Sequence, residues 1–266
     1  MHRLPPLPVI ATLAIASACA FVAALAVGSV SVTPATLVAG GTAHNKIYDG
    51  TTSATTASLS LSGVIAPDDV TLSGGTASFG DKNVGNGKAV TVTGMILGGA
   101  DMANYSLASG DANTTADITA AALTGNITAA NKAYDGNANA TIASRSLTGV
   151  IGLDDVSLVG GTATFNNKNA GSGKTVAATG LSLSGVDMAN YTLASTSAST
   201  TADITAIALT VTADDQSRNY GEANPTLNGA LVGVVAGDNI TASYSTTATE
   251  ASPVGAYDIT PTLNDP

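Results

Sequence analysis

The sequence predicts an all-β fold, arranged as an elongated array of small tandem modules. Three observations lead there: a duplication at constant spacing, short runs alternating apolar and hydroxyl residues, and Gly, Asn and Asp clusters between those runs.

The duplication is the strongest of the three. Tyr48-Asp49-Gly50 recurs as Tyr134-Asp135-Gly136, an offset of 86 (134 − 48). The same offset relates Asp68-Asp69 to Asp154-Asp155, Gly74-Gly75-Thr76 to Gly160-Gly161-Thr162, Phe79 to Phe165 and Lys82 to Lys168. It also relates Asp101-Met102-Ala103-Asn104-Tyr105 to Asp187-Met188-Ala189-Asn190-Tyr191, and Thr115-Ala116-Asp117-Ile118-Thr119 to Thr201-Ala202-Asp203-Ile204-Thr205. Between Lys46 and Thr119, 47 of 74 positions match without a gap, far above chance. Modules are therefore expected over residues 35–120 and 121–206, each self-sufficient.

A third, diverged unit follows over residues 207–266. Arg218-Asn219-Tyr220-Gly221 falls in phase with Lys132-Ala133-Tyr134-Asp135, and the Gly233–Ile240 segment echoes Gly149–Val156 at an offset of 84 (233 − 149). The sequence stops at Pro266, soon after Tyr257, so a longer parent protein is expected.

Within a module, Ala89-Val90-Thr91-Val92-Thr93 and Leu209-Thr210-Val211-Thr212 carry the period-two pattern of half-buried strands. Gly85-Asn86-Gly87 and Asp81-Lys82-Asn83 suit hairpin turns. No apolar 3.6-residue period persists long enough for a substantial helix, and one short turn is expected near Pro67-Asp68-Asp69. Asp101-x-Ala103-x-Tyr105-x-Leu107 and Gly255-x-Tyr257-x-Ile259 are similar to the tyrosine corner of immunoglobulin-like sandwiches, in which the ring packs in the core and the hydroxyl bonds a nearby backbone group. An Ig-like β-sandwich is the expected module, with a β-grasp-like module as the alternative.

Composition supports thin modules. Charged residues are 11% and aromatic residues 4% of the chain, so cores must be stacked from small aliphatic and β-branched side chains. With 44% apolar residues the chain can still bury enough surface to fold. Nineteen acids against nine bases give a net charge of −10 with no basic stripe, which argues against nucleic acid as a partner. The single cysteine, Cys19, leaves the repeats without disulfides or thiolate metal sites.

Residues 1–30 read as an export segment. His2 and Arg3 precede an uncharged run from Val9 to Val30, with small residues suited to cleavage after Ala20 or Ala26. A retained membrane anchor is the alternative, since the run is long enough to span a bilayer. A lipoprotein signal ending at Cys19 lacks the customary leucine in Ala16-Ser17-Ala18, and an arbitrary internal start is the bland reading.

No catalytic residue, cofactor site or metal site is expected. His44, just before the first repeat, is replaced by Ala130 in the second copy, which excludes a shared His-based mechanism. Serines and threonines without a base are strand residues. Asp68-Asp69 and Asp154-Asp155 lack the several neighbouring oxygens that Ca²⁺ requires and are expected to form turns. Tyr-Asp-Gly reads as a strand end followed by a turn. Lys46 and Lys132 with Asn104 and Asn190 raise an intramolecular isopeptide staple, but that reaction needs a buried acid beside the pair, and the first two modules contain no glutamate. The Asn-x-Ser/Thr triplets at Asn104, Asn126, Asn190 and Asn239 arise readily in a chain of this composition.

The residues resemble a known group. Lys46-Ile47-Tyr48-Asp49-Gly50-Thr51-Thr52, the Gly-Val-x-x-x-Asp-Asp-Val segment, Phe79-x-Asp81-Lys82-Asn83-Val84-Gly85 and Ala103-Asn104-Tyr105 are similar to the YDG domain. The second copy carries the same pattern, with Asn166-Asn167 in place of Gly80-Asp81. Arg218-Asn219-Tyr220-Gly221-Glu222-Ala223-Asn224-Pro225 and Ser252–Pro261 resemble the YGX-type MBG module. The resemblance implies a repeat region of a large bacterial exoprotein similar to filamentous haemagglutinin, on the cell surface or secreted. It carries over no catalytic or ligand residue. The expected role is a stalk or spacer; the alternative is a multivalent module that grips glycans or host proteins weakly. Partners would be host or neighbouring-cell glycans or proteins met through the parent adhesin. The outer membrane or secretion apparatus would be met only through the N-terminal segment or regions beyond this sequence.

Overall fold

The computed structural model describes residues 28–265. The export segment expected over residues 1–30, with Cys19 and both cleavage points, lies almost wholly outside the described residues.

The described chain is all-β. The first module comprises β1 (Ala35–Ala43), β2 (Lys46–Ile47), β3 (Ser53–Ala54), β4 (Thr56–Ser62), β5 (Thr71–Phe79), β6 (Gly85–Gly98), β7 (Tyr105–Leu107) and β8 (Ala112–Thr119). The second repeats it as β9 (Ala121–Ala129), β10 (Lys132–Ala133), β11 (Asn139–Ala140), β12 (Ile142–Thr148), β13 (Ser157–Phe165), β14 (Gly171–Ser184), β15 (Tyr191–Leu193) and β16 (Ser197–Thr205). The third unit contributes β17 (Thr210–Ala213), β18 (Gly229–Val232), β19 (Thr241–Thr246) and β20 (Ile259–Asn264). Helix among the described residues is confined to two three-residue 3-10 turns, Met102–Asn104 and Met188–Asn190.

Each of the first two modules folds into two sheets. In the first they run β4-β1-β7 and β2-β8-β6-β5-β3; in the second, β12-β9-β15 and β10-β16-β14-β13-β11. Most neighbours are antiparallel, but β7 lies parallel on β1 and β2 lies parallel on β8. This mixed pairing departs from the purely antiparallel sheets of the Ig-like expectation. The β-grasp-like alternative needs a helix under its sheet, and the described residues offer none of that length.

Side-chain alternation sets the core. Along β6, Val90 and Val92 point inward and are fully buried, as period-two geometry requires. The phase then shifts at Gly94, whose φ of +74° is open to glycine, so that Met95 rejoins the core. The second module copies this with Val176 and Ala178, Gly180, then Leu181.

The first core is not confined to one module. The cluster around Phe79, Val90, Val92 and Ile118 continues through Ala121, Leu123 and Tyr191 of the second module, with Ile151 and Val156 packed against it. A second cluster joins Phe165, Val176, Leu181 and Ile204. Small side chains make thin cores, and the first core gains thickness by running across the boundary. Leu181→Ala is expected to lower the stability of the second module by about 2–5 kcal/mol, because its methyls leave a cavity in a core with few large side chains to collapse into it. Chemical denaturation of the full chain measures it.

Candidate functional site, the joint between modules

The joint grows out of the Tyr-Asp-Gly turn. β2 ends at Ile47, and Tyr48 follows with its N–H donating to the Thr119 carbonyl at 2.8 Å, which holds the ring at the edge of the large sheet. Asp49 turns the chain: its Oδ1 accepts the Thr51 N–H at 2.9 Å and the Lys46 ammonium at 2.7 Å. Gly50 then adopts φ +77°, and a Cβ there would stand 3.0 Å from Ile151 of the next module. Gly136 occupies the same place, with φ +80° and Val235 at 2.9 Å. Glycine is required at both positions by the backbone conformation and by the approach of the next module.

From this turn the Tyr48 ring enters the second module and meets Tyr191 edge-on, centroids 5.4 Å apart at 78°. Both hydroxyls donate to Asp154 Oδ2 at 2.7 Å, while the Lys82 ammonium donates to Asp154 Oδ1 at 3.1 Å. Lys82 also lies over the Tyr48 ring, 5.7 Å from its centroid. The Ile151 N–H donates to the Tyr191 hydroxyl at 3.0 Å. Beside this group, Asn190 accepts the Val84 N–H at 2.9 Å, which pins the β5–β6 hairpin to the neighbouring module. A part-buried carboxylate is thus neutralised by one cation and held by two phenols, the pairing that favours its charged form at a boundary between modules.

The electrostatics follow. Asp154 is held below the usual carboxylate range by the Tyr191 and Tyr48 hydroxyls and then by Lys82. Burial, with the Asp154 bond second, raises Tyr48 and pushes Tyr191 up to about 12. Lys82 is raised by Tyr48 and Asp154. All four groups keep the charge state the joint uses across neutral pH.

Residues 33–116 and 118–202 each match the family model of the YDG domain. The chain belongs to the YDG domain family. Residues 209–265 match the MBG domain of YGX type, so two YDG modules are followed by one MBG module. Searches of curated proteins and of solved structures return no match. YDG and MBG domains occur in repeat-built, adhesin-like proteins.

The junction between the second YDG module and the MBG module uses the same donors. Tyr134 donates to Asp238 Oδ1 at 2.7 Å and Lys168 donates to the same oxygen at 2.8 Å, with Lys168 over the Tyr134 ring at 5.8 Å. Asp238 is lowered by Lys168 first and Tyr134 second. No second tyrosine joins it among the described residues, and Tyr134 is only half-buried where Tyr48 is buried. In the first YDG module, Tyr105 donates to Asp68 Oδ2 at 2.7 Å and accepts the Ile65 N–H at 3.1 Å, so the receiving half is prebuilt before any donor enters.

Several sequence expectations change in this light. The turn near Pro67 exists, closed by the Asp68 N–H on the Ile65 carbonyl at 2.9 Å, but the first aspartate of each pair also accepts a tyrosine hydroxyl, Asp68 from Tyr105 of its own module and Asp154 from Tyr191 and, across the joint, from Tyr48. Asp69 and Asp155 stay local, each N–H donating to Asp101 or Asp187 at 2.9 Å. Among the described residues no group of His, Cys, Asp and Glu could hold a metal ion. Tyr105 and Tyr191 bond an aspartate and a distant backbone N–H instead of the local carbonyl of a tyrosine corner. Tyr257 alone bonds locally, to the Pro253 carbonyl at 3.0 Å. The isopeptide partners do not meet as that idea requires: Lys46 is taken by Asp49 and the Thr51 and Ser53 carbonyls, and Asn190 by Val84. His44 is exposed, its backbone N–H on Thr55. Sequence reasoning missed the pairing of Tyr48 and Lys82 with Asp154; the signal available was their shared recurrence at one spacing.

Tyr48→Phe removes one phenol donor and leaves the ring in place. It is expected to weaken the coupling between the two YDG modules by about 1.5–3 kcal/mol, the range for a buried hydrogen bond to a charged group. A second, earlier transition in thermal or denaturant unfolding would report it. Acid acts on the same carboxylate. Because the folded value of Asp154 is depressed, its contribution is complete above the unfolded aspartate value near ~4 and is lost as pH falls through the folded value. Unfolding followed from pH 7 downward should therefore show a loss below about pH 4, and Asp154→Asn should flatten that part of the profile.

Proposed function

We propose that this chain is a non-enzymatic spacer region of a large bacterial adhesin, exported to the cell surface or secreted, whose modules form a stiffened, elongated array. One observation carries the reading: residues that recur in both YDG modules make the contacts between modules. Tyr48, Gly50, Lys82, Asp154, Asn190 and Tyr191 all meet across one boundary. Recurrence devoted to nearest-neighbour contacts is the economy of a quasi-one-dimensional repeat protein. A residue kept for an outside ligand would instead point outward in every copy.

The competing role, multivalent gripping of glycans or host proteins, would draw on exposed aromatic faces. Tyr48 and Tyr191 stack on each other inside the joint, and Tyr134 packs beneath Lys168. That use of Tyr48, Tyr134 and Tyr191 favours the spacer over the gripping module, with Tyr220 and Tyr257 of the MBG module the exposed exceptions.

Stiffness is measurable. ¹⁵N relaxation of the full chain should give both YDG modules one shared, anisotropic tumbling time. The double variant Tyr48→Ala/Lys82→Ala should release them toward separate, shorter times. Independent tumbling of the two modules in the unaltered protein would defeat the spacer reading.

A further inference from the structure

The joint between the two YDG modules brings two tyrosine rings together, one from each side. Tyr48 and Tyr191 meet edge to face with centroids 5.4 Å apart. Both hydroxyls donate to a single atom, Asp154 Oδ2, at 2.7 Å. The hydroxyl ends of the rings, with the carbons ortho to oxygen, therefore converge at one corner of the contact. Lys82 occupies the other carboxylate oxygen and leaves Oδ2 to the phenols. The two residues are only 2% and 5% exposed, so each ring has the other, and not solvent, as its neighbour.

Among the described residues no other tyrosines share this arrangement. Tyr105 and Tyr134 each donate to an aspartate, Asp68 and Asp238, without a second ring beside them. Tyr220 is 68% exposed, and Tyr257 bonds the Pro253 carbonyl. A shared carboxylate matters for oxidation chemistry. A phenol that loses an electron becomes a strong acid, and a base about 2.6–3.2 Å away is placed to take its proton. Asp154 is such a base for both rings. The Tyr191 and Tyr48 hydroxyls, and then Lys82, favour its charged form. Its side chain is 9% exposed, so a proton that it accepts can pass on to solvent.

We propose that Tyr48 and Tyr191 form an oxidative coupling site, at which a one-electron oxidant of the peroxidase class joins the two YDG modules through a dityrosine bond. Each ring gives one electron to the oxidant and its O–H proton to Asp154 Oδ2. The carboxylate passes the first proton to solvent before the second ring reacts. Electrons cross a thin layer of packed side chain, so the oxidant acts from the surface without touching either ring. The unpaired density of each phenoxyl radical lies partly on its ortho carbons. Rotation about χ2, a soft torsion in tyrosine, brings one ortho carbon of each ring together, and they join in a C–C bond. The hydrogens those carbons carried move to the two oxygens and restore both phenols. The balance is two electrons to the oxidant and two protons to solvent. The product is a covalent joint that protonation of Asp154 cannot open.

The test exposes the full chain, in dilute solution, to light with tris-bipyridyl ruthenium(II) and persulfate, which generate ruthenium(III) as the one-electron oxidant. The monomer should lose the mass of two hydrogens and gain dityrosine fluorescence. Proteolysis should release one cross-linked peptide pair, containing Tyr48 and Tyr191. Tyr48→Phe and Tyr191→Phe keep the rings in place, and each should abolish that pair. Asp154→Asn should slow its formation by about a hundredfold, the low end for a positioned base. Coupling of the exposed Tyr220 between chains should proceed at an unchanged rate in all three variants. Coupling between chains without the Tyr48–Tyr191 pair, a monomer cross-linked through other tyrosines, or an equal rate in Asp154→Asn would each overturn the site. The site goes beyond the spacer reading and draws only on the joint. Shared tumbling without the cross-link would defeat the site and leave the spacer standing.

Discussion

A carboxylate placed at a boundary between two modules must be neutralised and fully hydrogen-bonded, and that requirement organises the rest of this molecule. Asp154, part-buried beside Tyr48 and Tyr191, is held ionised by donors on both oxygens. The second module supplies one phenol from within. The first supplies the other phenol and the cation. Neither module completes the arrangement by itself, so the polar group that would be a liability inside one domain becomes a reason for two domains to stay in one orientation. Its geometry is directional, since phenol and ammonium approach along different axes, whereas apolar contact alone would let the modules slide.

The same economy explains how a chain so poor in aromatic residues builds cores at all. Small side chains leave thin layers, and the first module thickens its own by sharing Ala121, Leu123 and Tyr191 with the second. Glycine serves this end twice, shifting the phase of the long strand at Gly94 and admitting the neighbouring module at Gly50. Among the described residues every buried side-chain nitrogen and oxygen has a partner. In thin modules that completeness matters, because one orphaned polar group would outweigh much of the apolar burial each core commands.

The two junctions differ because the MBG module keeps the acceptor and lacks the companion among its described residues. Asp238 receives Tyr134 and Lys168 as Asp154 receives Tyr48 and Lys82, yet no phenol meets it from its own side.

The sequence alone established the repeat, its phase, the β texture, the lack of a shared histidine and the likeness to YDG and MBG domains, because each of these is a matter of local pattern and spacing. The turn role of Asp49-Gly50 was legible for the same reason, as an aspartate bonds backbone two residues on and glycine accepts positive φ. What only the tertiary structure decided is the purpose of Tyr48 and Lys82. Their partner lies 106 and 72 residues away, in the next copy of a nearly identical unit, and a repeat hides which copy a side chain addresses. Parallel pairing of β7 on β1 was equally out of reach, since period-two alternation marks a strand without marking its direction or neighbour. Those choices depend on where separate segments meet in space, which is settled by packing and not by any local preference of the chain.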